Sequence, residues 1–269
     1  IHGVLSSFLP NSIMIFQIYY FSCMPDLQEK LYGFFMGYIV YKLVQLFTSY
    51  YQSYISSKIQ SYYICENYNE MVQKFKIGLI TSIIIHVITY FPIKWIAMYI
   101  FTNTYFTKQN PTFVGGSIAK VSQYITIHFW NVLFTILTNS ISQIFSLFNL
   151  DKYVTYGHLI RFFVNVIFGM LYRSRYGDDY FVRGLSFADV VGELCVAIFF
   201  IVIQQMMNQL TQDLMQINLN SITNTWNYIT ESFDLYGFTF WLLNYFYDEI
   251  FMLLYVFFFI SGYDITWYN

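Results

Sequence analysis

Residues 172–210 read YRSRYGDDYFVRGLSFADVVGELCVAIFFIVIQQMMNQL. A short polar turn comes first, holding Arg173, Arg175, Asp178 and Asp179 and bracketed by Gly177 and Gly184. Arg183 and Gly184 close it, and an apolar helix runs from about 185 to 210. Crossing the hydrocarbon core of a bilayer takes roughly 20 apolar residues, and this run meets that length. The pattern of a polar turn followed by a long apolar helix recurs along the chain and sets its fold class.

Composition points the same way. Of 269 residues, 57% are hydrophobic, 23% aromatic and only 10% charged, where soluble domains carry about 25% charged residues. A transmembrane barrel needs short alternating segments, and these runs do not alternate, so the expectation is all-α and polytopic. The formal net charge is −2, with no basic patch dense enough for nucleic acid. Cys23, Cys65 and Cys195 lie far apart and form neither a disulfide framework nor a metal-binding spacing. The 30 Phe and 27 Tyr fit AT-rich coding and are not read as a site. Because the chain starts at Ile1, it is taken as processed, truncated or part of something longer.

Working outward, the first apolar block spans 3–24, with Pro10 placed to kink a helix; neighbouring groups in a membrane bundle can satisfy the freed carbonyl. A link at 25–30 leads to a second block at 31–55, where Gly33 and Gly37 allow close helix approach and Lys42 is the one charge. Residues 56–76 are polar and read as interfacial. The third block, 77–103, holds His86, Pro92 and Lys94. After the 104–112 link, the fourth block at 113–138 is centred on Thr126–Thr135 and includes His128 and Asn131. Residues 139–158 are more polar, and 159–172 read as an amphipathic or short apolar helix. A polar segment at 211–235 precedes an apolar span at 238–260, interrupted by Asp248 and Glu249. Two acids in a span are costly, so they face protein or water, or the span bends there.

The turn of 172–184, followed by the Ala197-Ile198-Phe199-Phe200 step, resembles the third-repeat matrix helix and last membrane helix of the mitochondrial carrier family. Pro10, Phe16 and Tyr19 match the spacing of that family's even-numbered helices. The resemblance implies a carrier-like bundle of about six membrane helices plus a surface helix, in the mitochondrial inner membrane. Residues 1–212 would form the bundle, with the first helix missing. Residues 213–269 would add a linker and a C-terminal membrane helix.

The family's transport machinery has no counterpart here. Its gates are opposite charges that hold a closed state until substrate competes for them. Where the resemblance puts the gate of the fourth block, Phe129 stands for Pro, Asn131 for the acid and Phe134 for the base. The second block offers Leu46–Tyr51, without charge, and Gln204 stands where an acid is usual. Lys42, His86, Lys94, His128, Asn131 and Gln204 are therefore expected as cavity or gate remnants. Arg161, Arg173, Arg175, Asp178, Asp179, Arg183 and Gly184 are expected as a matrix-side structural cluster. The resulting expectation is a non-transporting, carrier-derived accessory subunit of a respiratory-chain complex. It would be no enzyme itself, would have no intrinsic cofactor or metal, and would have other membrane subunits and lipid such as cardiolipin as partners.

Two alternatives stay open. One is a working carrier with a divergent gate, using Lys42, Lys94, His86 and His128. The other is a proton-conducting subunit. Arg161, Asn165 and Gly169 resemble the Arg-x-x-x-Asn-x-x-x-Gly step of ATP synthase subunit a, where the arginine separates two proton half-channels beside a rotor carboxylate. Against it, Glu193 reads as isolated, and Arg161 is expected at the membrane boundary, paired with Asp151 or Asp178. His2, His86, His128 and His158 are dispersed without neighbouring acids, and no catalytic triad or glycine-rich phosphate loop is present.

Overall fold

The structure, a computed structural model, describes residues 9, 12–13, 15–17, 19, 27–103, 111–177, 181–206 and 237–243. Among the described residues, five long helices carry the fold: α1 Leu27–Ile64, α2 Tyr68–Asn103, α3 Pro111–Leu147, α4 Asp151–Tyr176 and α5 Phe181–Gln205. Expectations concerning Pro10, Asp178, Asp179, the 211–235 segment, Asp248 and Glu249 lie outside the described residues.

Turn chemistry divides the chain. After Ile64, Glu66 adopts a left-handed backbone with φ 57°, and Asn67 opens α2 by accepting the Glu70 amide on its side-chain oxygen at 3.4 Å. Asn is favoured at such a start because its short side chain satisfies an amide with no partner in the helix. Between α3 and α4, Asn149 takes φ 57°, a conformation that Asn tolerates better than most residues. The Leu150 amide donates back to Phe145 at 2.7 Å. Gly177 ends α4 with φ +77° and donates its amide to the Arg173 carbonyl.

Helix lengths differ from the sequence expectation. The polar 56–76 stretch is not one interfacial segment: it is shared between the end of α1 and the start of α2, with only residues 65–67 as turn. Residues 159–172 are not a short surface helix. They belong to the 26-residue α4, about 39 Å long at 1.5 Å per residue. Hydroxyl and amide residues such as Ser57, Gln60 and Ser61 suggest a break in the chain, yet they lie exposed along a continuous helix whose other face buries Ile55 and Ile59. Pro92 lies inside α2 without ending it.

Among the described residues, three helices are long and apolar enough to cross a membrane: Tyr68–Ile100, Asp151–Tyr176 and Arg183–Gln205. The exposure pattern agrees. Large apolar side chains lie outside, among them Phe91, Trp95 and Tyr99 on α2, Phe163 and Ile167 on α4, and Ile198 on α5. The buried residues of α4 are Thr155, Gly157, Asn165 and Gly169. A helix that hides polar and small residues while exposing Phe and Ile is built for lipid, where interfaces favour small and hydrogen-bonding side chains. The chain is thus an all-α membrane protein.

α3 is the central helix. It packs on α1, α2, α4 and α5 and contributes to three apolar clusters. Val132, Ile136 and Ile144 join Ile55, Ile59, Met71 and Phe75. Val121 and Ile125 join Val40, Val44 and Tyr90. Ile141 and Phe145 join Val196 and Phe200. Gly37 of α1 packs on the Tyr124 ring, and an added Cβ would lie 2.6 Å from it. Residues 237–243 return to α1, where Phe238 stacks on Phe47 with centroids 5.6 Å apart.

α4 and α5 form an antiparallel hairpin with glycine at its close approaches. A Cβ at Gly184 would collide with the Tyr172 ring, and one at Gly157 would lie 2.7 Å from Phe200. Gly192 faces the Arg161 stem and backbone, with an added Cβ 3.4 Å away. This register brings the polar side chains of the two helices face to face.

Candidate functional site

Residues three or four apart share a helix face. Arg161 and Asn165 therefore project together from α4, and Asp189 and Glu193 from α5. In an antiparallel hairpin, one turn forward on α4 meets one turn back on α5. Arg161 accordingly reaches Glu193, with Nη1 2.6 Å from Oε1, and Asn165 Nδ2 donates to Asp189 Oδ1.

The first pair is enclosed. The side chains are 23% and 3% exposed, respectively. The second Glu193 oxygen accepts from Thr138 of α3 at 3.1 Å. Arg161 Nε is buried without a hydrogen-bond partner. Arg161 lies ten residues into the 26-residue α4, about 15 Å from its start at 1.5 Å per residue, well inside a helix long and apolar enough to cross a membrane. That position corrects two expectations. Arg161 lies within α4 and not at its end, and its partner is Glu193 rather than Asp151. Asp151 lies too far along the helix and instead accepts from Ser146 at 2.8 Å. Nor is Glu193 isolated.

The second centre is built around Asp189, which sequence reading did not single out. Gln17 donates to its Oδ1 at 3.2 Å, Asn165 shares that oxygen, and His128 Nε2 lies 3.3 Å from Oδ2. The His128 ring stacks on Tyr124 at 3.8 Å and meets the edge of Tyr41 at 5.0 Å. Its Nδ1 lies 3.0 Å from the Tyr124 carbonyl.

Two spaces adjoin the hairpin. A cavity of about 30 Å³ is lined by Thr138, Asn139, Ser142, His158, Arg161 and Glu193, with Val154, Val196 and Phe200. A water needs roughly 10–15 Å³ by this measure, so the cavity suits water and not a metabolite. A wider, open groove of about 450 Å³ is lined by Ser49, Gln52, Ser53, Ser56, Ser57, Gln60, Asn139 and Gln143. Its lining is hydroxyl and amide throughout, with no charged group. Asn139 borders both spaces, so a polar surface leads from the open groove to the buried ion pair.

The other expected site residues are spread out. His86 is buried, donates Nε2 to the Phe129 carbonyl at 3.1 Å and stacks on the Phe129 ring. Lys94 donates to Thr126 at 2.8 Å. Lys42 sits over the Tyr38 ring. Asn131 and Gln204 are buried. Within the expected arginine cluster, Arg175 and Arg183 cover neighbouring aromatic rings, and Gly184 packs on Tyr172. Arg161 stands apart from them: Arg173 lies twelve residues, about 18 Å, further along α4. The signal for Asp189 was its four-residue spacing from Glu193, matched by Arg161 and Asn165. Among the described residues no group of three or more His, Cys, Asp or Glu is placed to hold a metal ion.

Comparison of the chain with protein families, with curated proteins and with solved structures finds no match in any of the three.

Proposed function

We propose that the chain is a proton-conducting subunit of a membrane complex, with Arg161 as the fixed positive charge on the proton route. The observation that carries this reading is the Arg161–Glu193 pair, at membrane depth and facing a water-sized polar cavity. Charged groups inside a membrane are expensive and commonly mark ion or proton routes. Paired charges alone have a simpler use, holding helices together. The water-sized cavity and the groove that meets it at Asn139 favour conduction over a purely structural pair. Protons travel along water and hydrogen-bonding side chains, so they need no wide cavity, whereas drug-sized ligands occupy sites of about 300–1,000 Å³. The open groove has that volume but offers no counter-charge for an ionic metabolite.

The Arg161, Asn165 and Gly169 spacing adds support through its resemblance to ATP synthase subunit a, as does the adjacent α5 with its two acids. That resemblance implies a mitochondrial inner-membrane complex, with a partner subunit presenting a carboxylate to Arg161. A carrier-derived structural subunit is the second reading. It is favoured by the broad aromatic and aliphatic surface of α2, including Phe91, Trp95 and Tyr99, which suits packing against neighbouring subunits.

The discriminating experiment reconstitutes the native complex into vesicles and follows proton uptake with an internal pH dye. Arg161→Ala is expected to abolish translocation while the complex still assembles. Translocation at the wild-type rate in the assembled variant refutes the conducting role and leaves the structural one.

A further inference from the structure

We propose that Thr138 is a positioning residue for the Arg161–Glu193 pair: its hydroxyl turns the Glu193 carboxylate so that one oxygen meets Arg161 while the other is held on α3. The inference rests on the proton-conducting reading. Arg161 and Glu193 belong to the α4–α5 hairpin, and Thr138 reaches them from the central helix. Arg161 Nη1 lies 2.6 Å from Glu193 Oε1, and Thr138 Oγ1 lies 3.1 Å from Glu193 Oε2. Thr138 Oγ1 also lies 3.2 Å from the Thr135 carbonyl. A threonine hydroxyl has one hydrogen to give, so only one of these oxygens receives it at a time. A hydrogen bond to an ionised acceptor is roughly twice as strong as a neutral one, and the Glu193 contact is also the shorter. The hydrogen therefore goes to Glu193.

The carboxylate needs such a restraint. The last torsion of a glutamate side chain is broad, so a contact through Oε1 alone leaves Oε2 free to turn. Arginine and carboxylate favour two parallel hydrogen bonds where geometry allows. The side-on form of that arrangement uses Nε, and Arg161 Nε is buried without a partner. Thr138 instead claims the second oxygen. Thr138 and Glu193 are both buried, and both line the water-sized cavity with Arg161. The hydroxyl's own direction is fixed as well. Threonine is stiff at its first side-chain torsion in a helix, and the Thr135 carbonyl, one turn back, marks the side on which Oγ1 lies. Thr138 thus keeps Glu193 off Nε and leaves Arg161 able to meet a second carboxylate, the one a partner subunit presents in the conducting reading. A valine of the same shape would release Glu193 to close on Nε. A hydroxyl that only tied α3 to α5 would leave the Arg161 contact as it is.

The test uses the native complex, in vesicles for flux and in lipid nanodiscs with ¹⁵N-labelled arginine for magnetic resonance. Thr138→Val, which keeps the shape and removes the hydroxyl, is expected to lower proton flux roughly tenfold, the scale of one lost hydrogen bond to a charged group, while the complex still assembles. Thr138→Ser, which keeps the hydroxyl, should restore the flux. The Arg161 Nε resonance should move in Thr138→Val and hold its wild-type position in Thr138→Ser. Wild-type flux in Thr138→Val overturns the positioning role, as does a Thr138→Ser complex that conducts no better than Thr138→Val. An Nε resonance unmoved in Thr138→Val overturns it too. Should Thr138→Val fail to assemble, the same readings are taken on Thr138→Ala, which removes the hydroxyl without adding bulk. A wild-type complex that moves no protons overturns the conducting reading instead, and the Nε resonance, which needs no flux, still decides whether the hydroxyl sets the pair.

Discussion

Arg161 and Glu193 separate what a buried ion pair contributes from what it costs. Removing one partner strands a charge, a loss of about 3–5 kcal/mol, whereas replacing both by neutral groups is often close to neutral for stability. Arg161→Gln and Glu193→Gln should therefore each lower the thermal stability of the purified complex. The double substitution should recover most of that loss and still fail to conduct. Equal destabilisation in the double variant and the singles would mean the pair is not the source of the effect. At this scale the sequence was half legible. The Arg161, Asn165 and Gly169 spacing stood out because one helix displays it. Glu193 and Asp189 did not, because their meaning depends on which helix they face, and pairing across a hairpin is invisible until its register is known.

At the scale of the element, glycines let α4 and α5 approach. Gly157→Ala would drive a methyl group to 2.7 Å from the Phe200 ring. Overpacking of this kind typically costs about 1–3 kcal/mol. Pairing it with Phe200→Leu should restore part of the loss, a coupling measurable in a double-mutant cycle by thermal unfolding in detergent. Additive losses would mean that the two residues do not meet. The element scale also explains the misplaced surface helix. Residues 159–172 mix apolar side chains with Arg161 and Asn165, a pattern that reads as a surface helix when the polar face is assigned to water. Here Phe163 and Ile167 face outward while Asn165 is fully buried. Periodicity identifies two faces, and the solvent determines which one turns inward.

For the whole molecule, an inside-out distribution makes a physical claim about the surroundings. Trp95 is 72% exposed, on a helix long and apolar enough to cross a membrane. In a variant retaining Trp95 alone, its fluorescence should be strongly quenched by lipids brominated on their acyl chains. Quenching by an aqueous quencher alone would place that face in water or against a hydrated partner. The all-α membrane class was legible at this scale because it depends on composition and block length. The helix boundaries were less so. α1 and α3 continue through stretches whose serines, threonines and glutamines resemble loop composition, and Ser53, Ser57, Gln60 and Ser146 lie exposed along the unbroken helices.

The ion pair also bears on how the protein enters its membrane. A central arginine opposes insertion of a lone helix by about 2.5–3.5 kcal/mol on translocon scales, and Glu193 opposes insertion of α5 in the same way. Each penalty falls when the two side chains meet, and only a short turn separates the helices. Neither helix is then an independent unit of biogenesis. The pair favours entry of α4 and α5 together as one hairpin, with the charges partnered before they reach the hydrocarbon, so the residues proposed to govern protons also set the order of assembly.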